Sequence, residues 1–175
     1  ELDLVSDLVA NGRTSRLYGR LIHERRIAVE LAAGQTSREL GGTFQVVASA
    51  APGRTLDELE AAIYEELHRF ADDGPTEREL TRGRVQAETA FVFRVESLGG
   101  FGGKADQLNA YNIYRSNPDS FQADLDRYLH ATRATLRSSV ADWLCKPAAV
   151  TLAVVPQGTE QPTLSNAERV ERPAA

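Results

Sequence analysis

The sequence predicts an α+β domain in which helices pack on one face of a mainly antiparallel sheet. Three observations lead there: two early segments alternate apolar and polar residues, capped amphipathic helices fill the middle, and an apolar run returns at residues 148–155. With 175 residues, 42% of them apolar, the chain is long enough to bury one core.

Residues 1–10, ELDLVSDLVA, place Leu2, Val5, Leu8 and Val9 on one helical stripe and run into Asn11-Gly12, a helix-ending pair. A second helix is expected from Thr14 or Ser15, whose hydroxyl can cap backbone N–H groups. It turns Leu17, Tyr18, Leu21 and Ile22 inward and stops near Arg26. From Ile27 the period becomes two. Ile27, Val29 and Leu31 form one face of a strand over 27–33, and Phe44, Val46 and Ala48 form one face of its antiparallel partner across the polar turn QTSRELGG.

Thr55 and Thr76 each stand three residues before a glutamate, Glu58 and Glu79, as capping boxes require. The helices they open align Leu56, Leu59, Ile63, Leu67 and Phe70, then Leu80, Ala87, Phe91, Val95 and Leu98. Four glycines around Phe101 break the pattern, with Phe101 as an anchor. A helix with Ala105, Leu108, Tyr111 and Ile113 follows. Asn117-Pro118 opens the next one, which carries Phe121, Leu125, Tyr128 and Leu129. Thr132 caps the last helix, with Leu136, Val140, Trp143 and Leu144, and Pro147 closes it. The run AAVTLAVV is apolar on both faces and reads as an interior strand. Residues 1–156 are thus expected to form the domain, and 157–175 a polar linker.

Composition narrows the chemistry. A net charge of −5, with both signs interspersed, argues against a nucleic-acid partner. No apolar run approaches the roughly 18 residues of a membrane span. The single cysteine, Cys145, excludes an internal disulfide and reads as a semi-buried structural thiol. The absence of methionine suggests part of a larger polypeptide.

His23-Glu24 superficially suggests a zinc-protease helix. The second histidine of HExxH would have to stand at position 27, which is Ile27, and His23, His68 and His130 have no histidine within four residues in either order. No metal site of known spacing can be assembled, and each histidine reads as a surface residue. GGFGGKA lacks the spacing of a phosphate loop and follows a helix, not a strand. The strand at 27–33 could serve as a sheet edge for an extended peptide.

The run NGRTSRLYGRL, with Gly12, Ser15, Arg16, Leu17, Tyr18 and Leu21, resembles the C-terminal-type, non-catalytic domain of pitrilysin/insulinase zinc peptidases, the group that includes mitochondrial processing peptidase. PTERELTRGRVQAE and GGFGGKADQLNAYNIY extend the resemblance, which covers about residues 1–155 and points to a bacterial member. It implies a LuxS/mitochondrial processing peptidase-like metallohydrolase fold. Because that fold begins with a strand ahead of the first helix, the sheet is expected to lack its first strand.

By the same resemblance, zinc and the HxxEH motif belong to a homologous partner domain outside this chain. This domain, without cofactor or catalytic residues, completes a chamber for peptide substrates. Ser15, Arg16, Leu17 and Tyr18 are then structural motif residues. Asn11, Gly12, Arg13 and Thr14 align with a substrate loop and are candidate substrate-binding residues. An arginine and a tyrosine that hold substrate in many family members fall on Ile22 and Val29, so that role is not expected here. An inactive assembly scaffold of the same superfamily is the alternative. Relatives of this bacterial type imply an exported, periplasmic location.

Overall fold

The computed structural model describes residues 1–146, 149–158, 164–165, 167–168 and 170. Helix α1 (Leu2–Val9) lies at the centre of the core, with Leu4, Val5, Leu8 and Val9 essentially inaccessible to solvent. It packs on strand β1 (Ala28–Arg38) to one side and on α3 (Glu77–Glu96) and α6 (Arg133–Trp143) to the other. Helix α2 (Leu56–Asp73) covers strand β2 (Gly41–Ala50) and α6. Helices α4 (Lys104–Arg115) and α5 (Phe121–Leu129) extend the layer along α3. Helices therefore occupy one face of an antiparallel hairpin, the α+β arrangement expected.

The second helix departs from ordinary geometry. Tyr18–Glu24 is a π-helical stretch, in which the Arg25 N–H reaches back five residues to the Arg20 carbonyl. Leu17 and Leu21 still share a buried face. The Ser15 hydroxyl donates to the Gly12 carbonyl at 2.8 Å, so it closes the preceding turn and does not cap N–H groups as expected. The stretch ends at Arg26, whose φ of 52° puts a long side chain in the left-handed region.

β1 and β2 pair from Ala28↔Ala50 to Arg38↔Gly41. The ladder runs through most of the predicted turn and leaves only Glu39 and Leu40 to close the hairpin. Phe44, Val46 and Ala48 face the helices as predicted, and Ala33 of β1 joins them. Val29 does not: a register shift between Ala28 and Glu30 turns it outward, 60% exposed, while Leu31 stays inward.

Both threonine caps form. Thr55 accepts from the Glu58 N–H, yet Glu58 turns to Arg54, so of these two pairs it is Thr76 and Glu79 that build the full reciprocal box. Thr132 caps α6 as expected, with Thr135 as its reciprocal partner. Gly83 on α3 brings that helix against α1, where an added Cβ would meet Leu8 at 3.2 Å. The helix expected from Asn117-Pro118 begins later. Ser120 is its N-cap residue, and the Asn117 side chain accepts the Asp119 N–H in a local turn.

Several expected inward residues lie in solvent, among them Leu98 just beyond α3, Leu108 and Ile113 on α4, Trp143 on α6 and Phe101 in the glycine loop, which is therefore no anchor. The described part of the predicted last strand, 149–155, makes no strand ladder. It lies near α2 through a hydrogen bond from Thr151 to Glu60, while Val150, Leu152 and Val154 point outward. The sheet has two strands among the described residues. Pro147, and most of the predicted linker 157–175, lie outside the described residues. Within it, the Ser165 N–H donates to Asp57 and draws that carboxyl below its ordinary pKa.

Candidate functional site

The turn from Asn11 to Thr14 joins α1 to the π-helical stretch and is held at both ends. Gly12 adopts φ 84°, a conformation that favours glycine. The Asn11 amide donates to Asp7 at 2.9 Å, and its carbonyl oxygen accepts the Ala33 N–H of β1 at 3.3 Å. At the other end the Thr14 carbonyl accepts from Arg82 on α3 at 2.9 Å. Arg13 sits between these ties, exposed, and its guanidinium has no partner among the described residues. The turn thus presents a cation beside the edge of β1 that does not pair with β2.

Behind the turn, Arg16 fixes the motif to the core. Its guanidinium donates twice to Glu79, at 2.7 and 2.9 Å, and once to the Gly74 carbonyl at 2.8 Å. It also lies 4.7 Å over the fully buried ring of Phe70. Burial works against the Arg16 charge, but Glu79, Glu66 and Asp73 more than offset it and leave the pKa above its ordinary value. Burial likewise pushes Glu79 up, and the hydrogen bonds from Arg16 and Thr76 outweigh it, holding the carboxyl at about 2. At Glu66 the balance reverses. Burial raises its pKa in spite of Arg69 and Arg16.

A second cluster, with Glu65 receiving Arg20, Arg25 and Arg69, is largely exposed and contributes little stability. Leu17 is buried and Tyr18 half-buried, with the His23 ring edge-on to Tyr18 at 5.1 Å. Ile22 packs against the core and Val29 faces solvent, and neither aliphatic side chain can hydrogen-bond a substrate. His23, His68 and His130 are all exposed. Among the described residues no group of three or more His, Cys, Asp or Glu side chains is placed to hold a metal ion. Burial near Asp72 raises the Cys145 thiol, which opposes thiolate formation.

The structure therefore braces the turn at Asn11 and Thr14, ties Arg16 to Glu79 behind it, buries Ser15 and Leu17, and leaves Arg13 free. Sequence reasoning missed the partner of Arg16. The signal was present in Glu79, already marked as the third helical residue of a capping box, but nothing local connects it to Arg16.

Residues 1–86 match the family model described as the peptidase M16 inactive domain. These residues belong to that family. The M16 inactive-domain match runs from α1 into α3 and contains the turn, Arg16 and Glu79. The whole chain extends the likeness in three dimensions. The inactive peptidase domain of a candidate zinc protease from Bordetella parapertussis superposes with a TM-score of 0.75 at 20% identity, over 94% of this chain and 84% of that one. A candidate zinc protease from Bordetella pertussis Tohama I gives 0.68 at 20% identity, over 82% and 76%. A protease from Helicobacter pylori gives 0.70 at 17% identity, over 82% of this chain and 34% of its own, so the present chain spans about a third of that protein. At these identities the likeness shows the fold. No curated protein matches the sequence. Among the described residues, no helix is long and apolar enough to cross a membrane.

Proposed function

We propose that this chain is the non-catalytic domain of a bacterial zinc metalloendopeptidase, completing a peptide-binding chamber whose HxxEH domain and zinc lie outside residues 1–175. The observation that carries this reading is the match of residues 1–86 to the M16 inactive domain. In it, residues 1–156 form the domain and 157–175 a linker. The partner domain supplies the metal-activated water. The present residues shape the chamber.

The turn Asn11–Thr14 is the substrate-facing element in this proposal. It is braced at Ala33 and Arg82, so its backbone is positioned before a peptide arrives, and ordering it on binding costs little. Arg13 supplies a positive charge for an acidic side chain or C-terminal carboxylate. The unpaired edge of β1 beside it offers main-chain groups to an extended peptide. The reading places the protein in the periplasm, which cell fractionation checks.

Incubation of the purified chain with zinc, followed by metal analysis and a peptide-cleavage assay, tests the division of labour. The expected result is neither bound zinc at stoichiometric level nor cleavage. Stoichiometric zinc together with cleavage by the chain alone overturns it. An inactive assembly scaffold is the rival outcome, and an HxxEH sequence in neither the same reading frame nor its neighbours favours that one.

A further inference from the structure

Asn11 is the only asparagine of the chain followed by glycine, and the turn leaves Asn11 half-buried and Gly12 exposed. An asparagine carboxamide and the next main-chain nitrogen can close a five-membered ring. Glycine, with no Cβ, gives that nitrogen the least obstructed approach. At Gly12 nothing stands within 4 Å of the place a Cβ would take. Its N–H donates to no acceptor among the described residues.

The carboxamide is prepared as well. Its oxygen accepts the Ala33 N–H at 3.3 Å, a donor fixed by the β1 ladder and aimed at the atom where negative charge develops when the carbonyl carbon is attacked. Its nitrogen, the leaving group, donates to Asp7 at 2.9 Å, so both ends of the amide are held in one orientation. Asp73-Gly74 is the one aspartate–glycine pair of the chain and can close the same ring. There the nitrogen is taken: the Gly74 N–H donates to the Phe70 carbonyl at 2.9 Å, and Arg16 holds the Gly74 carbonyl at 2.8 Å. The fold leaves one ring-forming pair open and closes the other.

We propose that Asn11-Gly12 is a self-modification site, at which the folded chain converts its asparagine to aspartate and isoaspartate. The Gly12 nitrogen bonds to the Asn11 Cγ, the Cγ–Nδ2 bond breaks, and the proton lost by Gly12 departs with Nδ2 as ammonia. Water then opens the cyclic imide. Attack at Cγ gives aspartate. Attack at the main-chain carbonyl gives isoaspartate, whose backbone runs through the former side chain and is one methylene longer. Both products set a carboxylate where Asn11 had donated to Asp7, so like charges face each other and the tie between α1 and the turn is lost. The conversion consumes one water and needs no partner domain.

Incubation of the 175-residue chain at physiological temperature, folded and in urea, with peptide mapping by mass spectrometry, tests the assignment. In the folded chain a gain of one mass unit is expected at Asn11, resolved into two isomeric peptides. It is faster in mildly alkaline buffer, where the attacking nitrogen gives up its proton more readily. Isomerisation at Asp73 is expected in urea and not in the folded chain. Gly12→Ala, with its fold checked by circular dichroism, slows conversion at least about tenfold. An Asn11 left intact in the folded chain, after the chain in urea has converted, overturns the proposal. Conversion of folded Asn11 unmoved by Gly12→Ala, or matched in rate by Asp73 of the folded chain, overturns it too.

Discussion

Glu79 accepts two hydrogen bonds from Arg16, 63 residues earlier in the chain, with the same carboxylate that completes the Thr76 capping box. One side chain therefore starts α3 and locks the SRLY motif onto it. Because Arg16 also covers Phe70, the pair joins the motif, α2 and α3 at one point.

Glu79→Gln is expected to destabilise the fold by about 2–3 kcal/mol, since it leaves a largely buried guanidinium short of its counter-charge. Urea denaturation measures this. The effect has a defined pH dependence. Glu79 is held at about 2 against an ordinary 4.5, so the ionised form is favoured in the folded state. The stabilisation is complete above pH 4.5 and is lost as pH falls toward 2. The difference between the wild type and Glu79→Gln should shrink over that window. A difference that stays constant between pH 5 and pH 2.5 contradicts the assignment.

Thr76→Ala should cost about 1 kcal/mol through loss of the cap to the Glu79 N–H at 3.2 Å. Combined with Glu79→Gln it should be less than additive, because the two residues share one network. A double-mutant cycle in urea reads the coupling.

Arg26→Gly should stabilise the fold by roughly 0.5–1 kcal/mol. The exposed Arg26 bears left-handed strain at φ 52° that glycine relieves, and the gain is partly offset by the freer unfolded chain. A rise in thermal midpoint checks it.

Arg13→Ala is expected to leave stability within about 0.5 kcal/mol, because the side chain is exposed and free. In the assembled peptidase it should weaken binding of peptides with an acidic group and spare neutral ones. Peptide KM values measured for the two substrate classes test this.

Leu152→Lys should be neutral for folding, since the side chain is 85% exposed, and should lower aggregation by charging an unpaired apolar segment. Light scattering during heating gives the comparison.

Much of the fold was legible in the sequence because local rules governed it. Alternation fixed the inward face at Phe44, Val46 and Ala48, and threonine–glutamate spacing marked the starts of α2 and α3. The parts that were missed depend on non-local or backbone effects. The register shift at Ala28 and Glu30 sends Val29 to the opposite face from the one alternation gives it. The π-helical stretch adds one residue per turn without altering the buried pair Leu17 and Leu21. At 149–155 the apolar run has the composition of a strand, but no described strand pairs with it. At the candidate site, the turn could be located from SRLY, whereas its braces, Ala33, Arg82 and Glu79, lie about 20 to 70 residues away and carry no local mark of their role.

The most direct measurement is complementation. The HxxEH-bearing polypeptide encoded in the same reading frame or beside it is assayed on peptides with and without this chain. The account predicts that the zinc-bearing part alone cleaves at least about tenfold more slowly, and that adding this chain restores kcat/KM while contributing no zinc. Equal cleavage rates with and without it contradict the account.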